Sequence, residues 1–192
     1  MSILLRPKVT ATDATLITAA ASVAVCKAIQ EVAKVRAEIK WVNDVFVQGK
    51  KVCGILTEAS FDMESGSVEY IILGVGINVT EPEGGFPKEI SEIAGAVFPH
   101  RQFNMRNKLA AAFLRHFFEI YADFPLRGFV KEYQAFSFLV GREVHVLRGD
   151  TSEPATVLQI DDDCRLVVRY ASGKEEALFS GEVSVRPMEV GR

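Results

Sequence analysis

The sequence predicts an α+β protein in two unequal parts: a mixed or antiparallel sheet with helices over residues 1–137, then a small β-barrel over 138–192. Three observations predict it. An Ala-rich stretch keeps helical spacing from residue 14 to about 34. Residues Val35–Trp41 alternate with period two, and further β-like runs follow up to Val75. After Phe138 the texture changes to five short β-like runs divided by turn residues.

The elements follow in order. Ser2-Ile3-Leu4-Leu5 reads as a strand that starts at once. A strand so early usually has a preceding element to pair with, so the sequence is expected to begin inside a longer domain. Residues 10–13 offer helix-capping side chains, and Leu16, Ala20, Val23, Val25, Ile29 and Val32 then recur on a long, largely buried helix. Val35, Ala37, Ile39 and Trp41 alternate with Arg36, Glu38 and Lys40, which gives a strand with one apolar face. Val45-Phe46-Val47 extends the β reading, and 48–51, with Gly49, reads as a hairpin turn. Strands over 52–60 and 68–75 flank a polar loop at 62–67. Residues 80–87 hold Pro82, Gly84, Gly85 and Pro87 and form a loop, and 88–98 are expected to form a short helix. Over 105–124, Leu109, Ala112, Phe113, His116, Phe117, Ile120, Tyr121 and Phe124 make one apolar stripe that Pro125 ends. A short helix follows over 128–136. The later β-like runs are 144–147, 155–160, 165–170, 175–179 and 183–185.

Composition narrows the function. Net charge is -3, from 22 basic and 25 acidic side chains, so a basic field for nucleic acid is lacking. No apolar run is expected to reach the roughly 18 residues of a membrane span, and residues 1–5 are too short for a secretory core. Cys26, Cys53 and Cys164 form neither a CxxC pair nor a disulfide framework, and His100, His116 and His145 are scattered. A soluble, cytoplasmic protein without a Cys/His metal site is expected. Asp161-Asp162-Asp163 reads as a solvated turn. Trp41, His116, Cys26 and Cys53 read as core residues, and Arg106 and Lys108 as solvent-facing.

Three segments carry chemistry. Lys40-Trp41-Val42-Asn43-Asp44 puts an ammonium at a strand end beside two short polar side chains, where it can neutralise a carboxylate or phosphate. Gly54-Ile55-Leu56-Thr57-Glu58 has a glycine inside a strand, a mark of close approach by a ligand or another backbone. Gly74-Val75-Gly76-Ile77-Asn78 frees a strand end for a ligand and supplies an amide, without the GxGxxG of a dinucleotide fold. Each alone also fits a plain strand, bulge or turn.

In this order and spacing the three segments resemble the biotin protein ligase family. Ser-Ile-Leu-Leu-Arg-Pro at the start and Phe179-Ser180-Gly181-Glu182-Val183-Ser184 near the end are similar to that family's opening strand and closing segment. The resemblance spans essentially the whole chain. It implies a biotin/lipoate ligase-like catalytic domain followed by an SH3-like domain. It also implies two steps: biotin and ATP give biotinyl-5′-AMP, and a lysine of a biotin-acceptor domain then takes the biotinyl group. By the resemblance, Lys40 is the essential lysine at the biotin carboxyl and phosphate, and Gly54, Ile55 and Leu56 line the biotin pocket. Asn43, Gly76 and Asn78 lie by the nucleotide, and Asp44 orients Lys40 or holds Mg²⁺.

Departures from the pattern shape further expectations. The family's Gly-Arg-Gly-Arg-x-Gly-Arg loop does not occur here, nor does a DNA-binding helix-turn-helix, and Val42 stands where Pro is usual. A catalytic domain lacking its N-terminal part is therefore expected, with no DNA or membrane partner and with association into a homodimer. The missing loop would suit a non-catalytic binding module of the family. A lipoate-type ligase shares the fold, but Gly-Ile-Leu-x-Glu and the C-terminal barrel favour biotin.

Overall fold

The computed structural model describes residues 1–62, 64, 67–100, 103–179 and 184–187. Strands β1 (Ser2–Leu5), β2 (Ala37–Lys40), β3 (Asp44–Val47), β4 (Lys50–Phe61) and β5 (Val68–Ile77) form one sheet in the order β1-β5-β4-β3-β2. Every named pair in it is antiparallel, which resolves the mixed-or-antiparallel expectation. The opening strand finds its partner downstream: Ser2 lies opposite Gly74 and Leu5 opposite Ile71. Gln48 and Gly49, both at positive φ, make the two-residue turn between β3 and β4 that matches strand twist.

Helix α1 (Ala11–Ala33) starts where Thr10 caps it, its hydroxyl accepting from the Asp13 N–H at 3.1 Å. It ends at Lys34 in the left-handed conformation, whose N–H returns to the Gln30 carbonyl. By length and composition the 13–33 stretch is long and apolar enough to cross a membrane, yet 67% of its most apolar 18 residues are buried inside the fold. Ile17, Ala20, Ala21, Ala24, Ala28 and Ile29 have almost no exposure. Their small size lets α1 serve as the core around which everything packs. Leu109, Ala112, Phe113 and Phe117 of α2 (Met105–Ala122) are buried, and α2 and α3 (Phe129–Phe136) both pack on α1. Pro125 lies within a short 3₁₀ turn after α2. His116 is not a plain core histidine: its Nε2 lies 2.8 Å from Glu31 on α1.

The expected helix over 88–98 does not form. Ile90, Ile93 and Ala94 make successive turns, and the segment gives its backbone groups to β4 instead: Lys51 N–H donates to Ile93 O, and Gly95 N–H to Lys51 O. Those bonds replace the helical ladder.

The second unit is an antiparallel sheet of β6 (Glu143–Arg148), β7 (Thr151–Ile160), β8 (Leu166–Tyr170), β9 (Glu175–Leu178) and β10 (Ser184–Pro187), in the order β10-β6-β7-β8-β9. Residues 180–183 of the closing motif lie outside the described residues. Arg127 ties the two units together, pairing with Asp13 at the start of α1 and with Asp163 in the β7–β8 turn. Gln134 adds a bond to the Ile160 carbonyl at 2.9 Å.

Thr10, then Arg127, hold the Asp13 carboxyl below its ordinary 3.8 by hydrogen bonding. A depressed carboxylate contributes stability above its unfolded pKa and loses it as pH falls through the folded value. Asp13→Asn is therefore expected to cost about 1 kcal/mol at pH 7. Urea unfolding should show the difference from wild type shrinking toward zero below pH 3.8.

Candidate functional site

The strand register assembles the site. Asp44 lies opposite Lys40 on one side and Gly54 on the other, and Gly54 lies opposite Gly76. Residues directly opposite in antiparallel strands share a face. Lys40, Asp44, Gly54 and Gly76 thus form one row on the sheet face turned away from α1, where Ile39, Val45, Cys53, Ile55 and Val75 point the other way and are buried.

A bulge adds Lys51 to this row. Cys53 pairs with Val45 but Lys51 with Phe46, so Val52 is the extra residue. Strict alternation would turn Lys51 away from Gly54; the bulge brings it to the same side. Its Nζ lies 2.5 Å from Asp44 Oδ1. A Cβ built on Gly54 would sit 3.6 Å from Lys51 Cε and 3.9 Å from Asp44 Oδ1. A glycine there keeps the space beside the ion pair open.

That space is a cavity of about 370 Å³, in the range of small-molecule sites. Gly54 and Gly76 give it a floor of bare backbone, Lys51 and Asn78 stand at its sides, and Ile90, Ile93 and Ala94 form an apolar wall. Asn78 is fixed by its own amide, which donates to the Gly95 carbonyl at 3.0 Å, and by its N–H to Val52 O. Cys53 borders the cavity too, but its side chain is turned to the buried face of the sheet. Burial first, then the nearby Asp44 charge, push its thiol up to about 12, so it stays neutral and is no nucleophile near pH 7. Such a site suits a flat, partly apolar group bearing an anion.

The expected residues divide. Gly54, Gly76 and Asn78 line the cavity together. Lys40 stands in the row, half-buried, but is not among the lining residues, whereas Lys51 is. Ile55 turns its side chain into the core. Asn43 is a structural clasp, its amide donating to Ile55 O at 2.7 Å while its carbonyl accepts from Ile55 N–H. Leu56 stands on the open face, 62% exposed, on the same side as Ile72 of the adjoining β5 and Leu4 of β1 beyond it. The Asp44 carboxylate is engaged by Lys51. Among the described residues no cluster of three His, Cys, Asp or Glu side chains gathers there, so Asp44 is the carboxylate that would meet a Mg²⁺ carried in with phosphates. The Trp41–Val42 peptide is cis.

Comparison with known proteins adds kinship. Residues 1–78 match the Biotin/lipoate A/B protein ligase family, and residues 139–186 match the Biotin protein ligase C terminal domain. The chain is 29% identical over 189 residues to the Bifunctional ligase/repressor BirA of Bacillus subtilis, covering 96% of this chain and 57% of that protein. It thus spans less than two thirds of that relative. The fold resembles the crystal structure of biotin protein ligase from Aquifex aeolicus, with a TM-score of 0.81 at 24% identity, over 97% of this chain and 81% of that one. The same ligase in complex with biotin and ATP gives 0.73 at 22%, over 97% and 77%.

Gly95 is where the wall meets the strand: a Cβ there would lie 2.5 Å from Lys50 Cβ. Gly95→Ala must therefore push the 90–95 segment off β4. A loss of about 1–3 kcal/mol in urea unfolding is expected.

Proposed function

This chain belongs to the biotin protein ligase family, and we propose that it joins biotin to ATP and then to a protein lysine. In the first step a biotin carboxylate oxygen attacks the α-phosphorus and pyrophosphate leaves, giving biotinyl-5′-AMP. In the second, the amine of an acceptor-domain lysine attacks the activated carbonyl. AMP leaves, the amine loses a proton and an amide forms.

The observation that carries this reading is the Lys51–Asp44 pair beside the bare Gly54–Gly76 floor. Two anions must meet in the first step, and their repulsion is the barrier a cation lowers most directly. Lys51 lines the cavity and is oriented by Asp44, with Lys40 opposite Asp44 on the next strand. The Lys51 ammonium at the cavity, with that of Lys40 nearby in the row, supplies cationic charge for the carboxylate and the phosphate. We therefore assign the role expected of Lys40 to Lys51 and give Lys40 a supporting one. Asn78 can read a nucleobase edge, since its side chain offers both an acceptor and donors. Leu56, with Leu4 and Ile72, offers apolar surface on the same face for the biotin side chain. Mg²⁺ is treated as part of the Mg-ATP substrate. The described residues after Phe138 are read as the family's C-terminal domain, a separate unit from residue 138 on.

The test is pyrophosphate release from biotin and Mg-ATP. Lys51→Ala is expected to slow it by about 10²–10³-fold, and Lys40→Ala by about tenfold, with unfolding midpoints close to wild type. A Lys40→Ala defect deeper than that of Lys51→Ala would return the role to Lys40. A folded wild-type chain that releases no pyrophosphate would contradict the ligase reading.

A further inference from the structure

Trp41 is the one tryptophan of the chain and is 5% exposed. Its indole N–H donates to the Cys164 carbonyl at 2.9 Å, across 123 residues and from one unit to the other. The acceptor is held in place. Cys164 has φ 56, and its N–H returns to Asp161 O at 3.0 Å. Asp161 Oδ1 accepts from the Asp163 and Arg165 N–H groups at 3.0 and 2.9 Å, and Oδ2 from Arg165 Nε at 2.7 Å. The acidic triplet is therefore an ordered turn and not merely a solvated one, and Arg127 docks it on the first unit through Asp163.

A cavity of about 540 Å³ runs beside Trp41, bounded by Leu16, Ala19, Leu178 and Phe179. The ring is otherwise buried in the core, and on the cavity side the hydrogen bond adds a directional constraint that packing there does not supply. The neighbouring backbone is hung from the same seam. Ile39 O accepts from Phe138 N–H at 3.2 Å, and Val42 O accepts from the Tyr133 hydroxyl at 2.9 Å. Asn43 and Asp44 follow directly, and Asp44 holds Lys51.

We infer that Trp41 is a positioning residue: through its bond to the Cys164 carbonyl, the second unit sets the placement of Asp44 and so of Lys51 in the cavity. The inference concerns the cavity's geometry, and rests on the ligase reading only where activity is measured. Displacing catalytic groups by about 1 Å can cost on the order of 10²-fold in rate.

Two variants test it from opposite sides. Trp41→Phe keeps an aromatic side chain but removes the N–H together with part of the ring's volume; Asp161→Ala loosens the acceptor turn and leaves Trp41 itself unchanged, so an effect shared by both belongs to the hydrogen bond. Amide hydrogen exchange and amide chemical shifts are read at Asn43, Asp44, Gly54 and Ile55, with Ile3 and Leu73 in the β1–β5 pair as references. Both variants are expected to speed exchange at the first group about tenfold and leave the references unchanged. For pyrophosphate release, kcat should fall about tenfold while KM for biotin stays within twofold. Changes confined to 161–166, or equal acceleration at the β1–β5 pair, would overturn the inference. If Trp41→Phe does not fold, Asp161→Ala decides. If the wild-type chain makes no adenylate, the ligase reading fails, and the exchange data still decide the positioning role.

Discussion

Strand register is the constraint on which the rest depends. Opposing Asp44 to Gly54, and Gly54 to Gly76, aligns a carboxylate and two side-chain-free positions in one row across three strands. A slip of one residue would turn every member of the row into the core and bring Val45, Ile55 or Val75 to the open face. The apolar faces of β2 to β5, sealed by α1, forbid that slip, because it would expose residues that are now buried. Packing of the helix thus fixes the chemistry on the opposite side of the sheet.

The bulge at Val52 gives this register its functional consequence. It buries Val52 and Cys53 in succession and places Lys51 on the same face as Gly54. The wall over the cavity depends on the same strand, since Lys51 lends its backbone N–H and carbonyl to Ile93 and Gly95. One residue therefore carries the ammonium, orders the carboxylate and anchors the covering segment. The seam with the second unit reaches the same group by another route, through Trp41 and the turn ahead of Asp44.

Much of the fold was legible because it rests on local pattern. Capping by Thr10 and the spacing from Leu16 to Ile29 announce α1, and alternation from Val35 to Trp41 announces β2. Gly54, Gly76 and Asn78 stand out as residues that leave space or offer an amide, and they do converge. What stayed hidden depends on distant partners. Lys51 reads as part of a turn, and period two cannot reveal a bulge, although two consecutive buried residues at 52 and 53 are its trace. Asn43 has the composition of a ligand contact but spends its amide on Ile55 O. Residues 88–98 carry helix-compatible side chains, yet their backbone partners come from β4. Asp161 looks solvated until the turn it organises is seen to meet Trp41 from far along the chain.

The central claim is that the Gly54–Gly76 floor beside Lys51 and Asp44 receives the reactants. The most direct test is a titration of the isotope-labelled chain with biotin and Mg-ATP, followed by amide chemical shifts. The account predicts saturable changes that are largest at Gly54, Gly76 and Asn78 and that decline toward β1. Changes centred instead on the cavity between Trp41 and Phe179, or no change at saturating reactants in a folded sample, would contradict it.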